Sequence, residues 1–172
     1  INIGYLKIAS GQNNMVMAGG IEMMSRVPML SDKAAIWTDV NIAIKSRIFM
    51  MGSGADLIGS INKITRLDAD TQAFNSQKKA AHALRNGYFK SIVPVFNSQK
   101  DFVCAEDECI RPETTIKNLS SLNPSFEELG KNGVDDLQLK HFPQLTEIAH
   151  THTAGNSPAM SDAASITLLS SS

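Results

Sequence analysis

Cysteine is scarce. The 172 residues hold two, Cys104 and Cys109, which excludes a disulfide framework, and their spacing does not make a C-x-x-C redox pair. A reducing, cytoplasmic setting is the default expectation. Long apolar runs are lacking too, so no membrane-spanning helix is expected. Neither sign of charge dominates. Lys and Arg number 16 against 17 Asp and Glu, a formal net charge of −1, so nucleic acid is not an expected partner. An initiator Met and a signal peptide are both missing. The chain opens in mid-pattern with Ile1-Asn2-Ile3-Gly4 and closes on Ser170-Ser171-Ser172; a fragment explains both ends most simply. No internal repeat or low-complexity tract occurs. What is present is 42% hydrophobic and 19% charged residues, the composition of a soluble globular domain of ordinary size.

Apolar residues at Ile1, Ile3, Leu6, Ile8 and Ala9 predict the end of a buried helix stopped by Gly11. Met15-Val16-Met17-Ala18, closed by Gly19-Gly20, predicts a strand buried on both faces in the middle of a parallel sheet. Helix, turn and strand would be half of a βαβ unit. From Glu22 to Lys45 the pattern loses its period at Pro28 and Asp32, with Trp37 and, further on, Phe49 as apolar anchors. An extended excursion with one short helix is expected. Leu57, Ile58, Ile61 and Ile64 predict a helix over 54–64. Thr65-Arg66-Leu67-Asp68 is a capping box. The helix it opens carries Ala73, Phe74, Ala80, Ala81 and Leu84 on one side and ends near Gly87. Ser91 to Phe96 predicts a strand, at an edge because Pro94 has no N–H. Thr114 to Leu122 predicts a short helix, and Glu127 to Thr146 a polar surface loop. Ala163 to Leu169 predicts a second buried strand. Roughly 140 residues lie between the end strands, too many for a loop and enough for a subdomain.

Few residues invite chemistry. Cys104 and Cys109 are candidate nucleophiles, with His150 and His152 as candidate bases. Neither cysteine precedes a helix or sits in a Gly-rich elbow, and Glu106, Asp107 and Glu108 disfavour a thiolate nearby. His150 and His152 at i, i+2 would share one face of a strand, a geometry for a metal, yet no third ligand accompanies them. His82 and His141 are expected in solvent, as are the carboxylates of Glu127-Glu128 and Asp135-Asp136. Met23-Met24 and Met50-Met51 read as core filler or as a flexible apolar lining. Gly52-Ser53-Gly54 before a helix suggests a phosphate cradle but is neither a P-loop nor a dinucleotide fingerprint. The residues alone lead to an α/β domain with an inserted helical subdomain.

Several stretches, in order, resemble signatures of the thiolase family. Ala18-Gly19-Gly20-Ile21-Glu22-Met23-Met24-Ser25 resembles "AGG-x-E-x-MS". Met51-Gly52-Ser53-Gly54-Ala55-Asp56 resembles "MG-x-x-A-E/D". Thr65 to Lys79, with Arg66, Asp70, Phe74, Ser76 and Gln77, resembles "SR-x-x-x-D-x-F-A-x-x-S-Q". Ile92-Val93-Pro94-Val95 matches "IVPV". Asp107 to Arg111 resembles "DE-x-x-R", and Leu122 to Phe126 resembles "L-x-P-A-F". Thr153-Ala154-Gly155-Asn156 with Asp162-Ala163-Ala164 resembles "TAGN-x-S-G-x-N-D-G-A-A". Together they span nearly the whole chain.

The resemblance implies a thiolase-like α/β fold: part of the N-terminal layer, with two strands, and an inserted helix-rich loop domain. Residues 1–24 and 153–172 would belong to the α/β domain and 25–152 to the insertion. It implies an acyl-CoA C-acyltransferase that condenses acetyl-CoA or cleaves 3-ketoacyl-CoA. The family's catalytic Cys, His and second Cys would lie outside this chain, leaving no catalytic residue here and an inactive fragment. Coenzyme A would be a substrate carrier, with no permanent cofactor or metal. Arg111 would reach its adenine end, Leu122, Ser125, Phe126 and Ala154 would line the pantetheine tunnel, and Met51 would lie near the acyl group. A homodimer or homotetramer is implied, with no nucleic-acid or membrane partner. The chain departs from the pattern at Pro158, where Ser is usual, at Ala159 and Ala163, where Gly is common, and in the longer stretch from Lys131 to Thr151. Two other readings stand beside this one: a non-catalytic acyl-CoA binding protein, and a small hydrolase using Cys104.

Overall fold

The computed structural model describes residues 1–46, 48 and 50–171. The expected anchor at Phe49 lies outside the described residues. The chain divides into two compact units, residues 1–42 with 160–172, and residues 43–159. No helix among the described residues is long and apolar enough to cross a membrane.

In the first unit, helix α1 (Asn2–Ala9) ends before Gly11, whose φ of +71° takes the left-handed turn. Strand β1 (Met15–Glu22) pairs with β4 (Ala163–Ser170), and the pairing is antiparallel. This corrects the parallel sheet expected from the sequence. The register gives the reason: Glu22, where the chain leaves, lies opposite Ala163, where it returns. An insertion that departs and re-enters at one end of a strand needs no crossover. The expected burial on both faces also fails. Gly4 of α1 sits close over Val16, Ala18 and Leu169, while Met15, Met17, Ile21, Ile166 and Leu168 are exposed, as are Ile1, Ile3, Tyr5 and Leu6 of α1. One helix covers one face of two strands. Asp162 ties the loop after β1 to the return strand, accepting from Met24 N at 2.8 Å and Ser25 Oγ at 3.1 Å. The excursion that follows contains α2 (Ala35–Thr38) and leads into α3 (Val40–Ser46), two short helices where one was expected.

The second unit is mostly helical. Helix α4 (Met51–Ile61) starts three residues earlier than its apolar period suggests. Helix α5 (Arg66–Arg85) opens on the expected capping box: Thr65 Oγ1 accepts from Asp68 N at 3.1 Å, and Asp68 Oδ2 accepts from Thr65 N at 2.9 Å. The strand expected over 91–96 shrinks to β2 (Val95–Phe96), paired with β3 (Phe102–Cys104). Pro94 cannot donate to a ladder, and Asn97 turns the chain at once, its Oδ1 accepting from Gln99 N and Asp101 N. Helix α6 (Ile116–Ser120) is capped by Thr115.

The surface loop expected over 127–146 is instead largely helical. Helix α7 (Glu127–Leu129) runs into a kink at Asn132 and Gly133 (φ +105°), and α8 (Asp135–His141) follows. Gly133 makes one bend rather than a loop, and Asp135-Asp136 suit the positive end of the new helix. The centre of the unit is unusually polar. Ala81, Leu119 and Ile148 are buried, but so are Asp56, Asp70, Gln138, Thr151 and Thr153.

Candidate functional site

Two buried carboxylates organise the second unit. Asp70, on α5, accepts from Arg66 Nε at 2.9 Å and from Asn156 Nδ2 at 2.9 Å. Arg66 also donates to the carbonyls of Leu119 and Leu122, closing the end of α6, where carbonyls lack helical partners. Asn156 in turn closes the segment Thr153-Ala154-Gly155-Asn156. Its Oδ1 accepts from Thr153 N at 2.7 Å, and Thr153 Oγ1 accepts from Gly155 N at 3.2 Å. The result is a self-bonded turn pinned to α5. Thr153 is buried within it, and Ala154 is exposed at its tip. Gly155 is required by contact: a Cβ there would stand 2.5 Å from Leu122 Cδ1 and 2.8 Å from Leu119 Cδ2.

This turn stands between two grooves. One, of about 510 Å³, runs along Gln77, Arg111, Thr114, Leu119, Leu122 and Gly155. The other, of about 630 Å³, is lined by Asp68, Gln72, His152, Gly155, Asn156 and Pro158 among others. Arg111 is held by its backbone, its N–H donating to Gln77 Oε1 at 2.7 Å and its carbonyl accepting from Thr114 Oγ1 at 2.8 Å. Its side chain is exposed and makes no ion pair among the described residues. Leu122 is 39% exposed toward the same groove. The first groove therefore combines the Arg111 cation with the apolar Leu119 and Leu122, and Glu113 and Asn118 also line it.

The remaining candidates gather elsewhere in the unit. The Phe126 ring lies against Gly52, where any Cβ would overlap it. That contact covers the first residue of the Gly52-Ser53-Gly54 stretch, while a Cβ at Gly54 would meet nothing within 4 Å. Met51, next to Gly52, is 93% exposed. Ser125 N donates to His152 O at 2.9 Å, which stitches this corner to the extended segment leading into the turn. Met51, Ser125, Phe126 and Ala154 are not among the residues lining the Arg111 groove.

Asp56 is the second buried carboxylate, and sequence reasoning assigned it no role. It accepts from His150 Nδ1 at 2.9 Å, from His152 Nδ1 at 2.6 Å, and from the backbone N–H groups of Thr151 and His152 at 3.1 Å. His150 Nε2 lies 2.9 Å from Asp135 Oδ2. The i, i+2 spacing of the histidines was the available signal. They do share a face, and there both Nδ1 atoms meet the Asp56 carboxylate. Among the described residues no group of three or more His, Cys, Asp or Glu side chains is disposed to hold a metal ion. Asp135, expected in solvent, is a partner in this network. Burial pushes the His150 pKa down most strongly of any single influence, but bonds to Asp56 and Asp135 and their negative charge outweigh it. The pKa ends above its ordinary 6.5. Both ring nitrogens of His150 and Nδ1 of His152 are thus engaged by carboxylates, and no cysteine contacts either ring among the described residues. Cys104 Sγ donates to Glu106 O at 3.0 Å, and Cys109 is exposed.

The family model for the thiolase N-terminal domain matches residues 1–134. The chain belongs to the thiolase family. Among similar proteins, β-ketoadipyl-CoA thiolase of Pseudomonas putida is 32% identical over 190 residues, covering 99% of this chain and 42% of that protein. A probable acetyl-CoA acyltransferase of Staphylococcus aureus is also 32% identical, over 187 residues with the same coverage. The chain thus spans about 42% of the length of these relatives. The fold resembles that of the dimeric peroxisomal thiolase of Saccharomyces cerevisiae, with a TM-score of 0.65 and 26% identity over 98% of this chain and 39% of that one. Human mitochondrial 3-ketoacyl-CoA thiolase, solved in complex with CoA, has a TM-score of 0.64 and 22% identity over 99% of this thiolase chain and 41% of its own.

Proposed function

We propose that this thiolase chain supplies the coenzyme-gripping part of an acyl-CoA C-acyltransferase. The observation that carries the reading is the Arg111–Leu122–Gly155 groove. Coenzyme A is a polyanion at its nucleotide end and a slender, weakly polar arm beyond it. A free guanidinium attracts phosphate and stacks on adenine, and Leu122 offers the arm an apolar wall. The names of the relatives, an acyl-CoA thiolase and an acetyl-CoA acyltransferase, support the same ligand class.

In this reading residues 25–152 are the loop domain, and residues 1–24 and 153–172 belong to the α/β layer. The reaction is condensation of two acyl-CoA units or its reverse. In thiolysis a cysteine thiolate attacks the keto carbon of a 3-ketoacyl-CoA and the carbon–carbon bond breaks. The departing acetyl-CoA carbanion takes a proton from an acid, and the thiol of free CoA then displaces the enzyme-bound acyl group. The nucleophile, the histidine and the second cysteine lie on polypeptide beyond this chain. Phe126, packed on Gly52, and the exposed Met51 beside it are assigned to the acyl end, and Ser125 and Ala154 to the flanks of the arm. Free Cys104 and Cys109 suit a reducing compartment such as the cytoplasm. Assembly into dimers or tetramers is part of the proposal. A two-stranded sheet has open edges, and the yeast relative is described as dimeric.

Titrating the purified chain with CoA while assaying acetoacetyl-CoA cleavage tests the reading. Saturable binding without turnover is expected. Turnover by this chain would refute the placement of the chemistry, and absence of saturable binding would refute the groove. Full-length protein that binds acyl-CoA but never cleaves it would favour a non-catalytic binder.

A further inference from the structure

The Asp56–His150–Asp135 bridge poses a question of proton count. An ionised carboxylate only accepts hydrogen bonds, and a neutral imidazole has one N–H to give. Yet both ring nitrogens of His150 stand 2.9 Å from carboxylate oxygens, Asp56 Oδ2 on α4 and Asp135 Oδ2 on α8. Asp56 is buried and satisfied as an anion, because it also receives His152 Nδ1 and two backbone N–H groups. The additional proton therefore belongs on His150, and the ring is an imidazolium spanning two helices.

We infer that His150 is a proton-operated clamp, holding the 126–141 segment to α4 while its ring is charged and releasing the α8 end when it is neutral. On deprotonation the proton toward Asp56 stays, since Asp56 has no access to water. The Nε2 lone pair then faces the Asp135 carboxylate, and the contact turns from attraction to repulsion. Asp135, a quarter exposed, turns to solvent. Among the described residues the segment loses one of two polar side-chain anchors; the other, Gln138 Nε2 donating to Ser53 O at 3.0 Å, does not titrate. The effect reaches Phe126 through the same segment, because Gly130 N donates to Phe126 O at 2.9 Å.

The acidic groups facing His150 agree in sign, and the basic ones are His152 and, beyond Glu127, Lys131. Asp56 approaches from α4 and Asp135 from α8. Glu127 contributes from α7; its carboxyl is held low chiefly by its bond to Lys131 and only slightly by His150. His152, on the same segment as His150, shares Asp56. The carboxylates favour the charged ring. The clamp is complete below the ordinary histidine value and is lost as pH rises through the elevated one. None of this requires a ligand, so it stands or falls apart from the coenzyme reading.

Two measurements on the full chain decide it. Nitrogen NMR should find both ring nitrogens of His150 protonated near pH 6. Amide exchange in residues 135–141, taken relative to α5 to cancel intrinsic base catalysis, should accelerate about five-fold between about pH 6 and about pH 9. In Asp135→Asn the amide donates to a neutral Nε2, so the acceleration should vanish. A neutral His150 near pH 6, a flat wild-type ratio, or an Asp135→Asn profile that follows the wild type would each overturn the clamp.

Discussion

Asn156 donates its side-chain amide to Asp70 Oδ1 at 2.9 Å, across 86 residues of sequence, and so fixes the turn between the two grooves. Removing either end should be felt in stability and in the site together. Asp70 is fully buried, while its other partner Arg66 is about a quarter exposed. Asp70→Ala leaves Arg66 water to turn to, so the loss should fall at the low end for a broken buried pair, about 3 kcal/mol. Denaturant unfolding of the variant measures it.

Gly155→Ala tests the packing of that turn. The added methyl meets the tips of two leucines, Leu119 and Leu122, which can yield partly. A loss of about 1–2 kcal/mol is expected, with weaker CoA binding because Leu122 must move. Calorimetric titration separates the two effects.

His150→Ala should cost more in acid than in alkali. The raised folded pKa means that the stabilisation is fully present below about 6.5, the ordinary value, and is lost as pH rises through the higher one. Because His150 is only partly buried, a loss of about 2 kcal/mol near pH 6 is expected, shrinking toward pH 9. Urea unfolding at the two pH values checks the sign, and a larger loss at the alkaline end would contradict it.

Much of this was legible in the residues. The Thr65–Asp68 capping box states its own geometry, and the apolar spacing of Leu57, Ile58 and Ile61 identified α4. The thiolase-like segments pointed to the family and to Arg111 and Leu122, which do share a groove. The failures have physical causes. Strand direction depends on where an insertion re-enters, which Met15 to Glu22 cannot reveal. Gly130 and Gly133 read as loop formers, but only Gly133 uses its freedom, and the chain resumes a helix at once. The Asp56 network was hidden because its members lie 94 and 79 residues apart along the chain from Asp56 to His150 and from Asp56 to Asp135. Isolated, Asp135 looked like a solvated charge, His150 like a candidate base, and Asp56 only like part of a motif.

The most direct test is the affinity of the chain for CoA and for pantetheine, compared between wild type and Arg111→Ala. Loss of the guanidinium should weaken CoA about ten-fold and leave pantetheine, which has no nucleotide, unchanged. An unaltered CoA affinity, or an equal loss for both ligands, would contradict the assignment of Arg111 to the phosphate-rich end of the coenzyme.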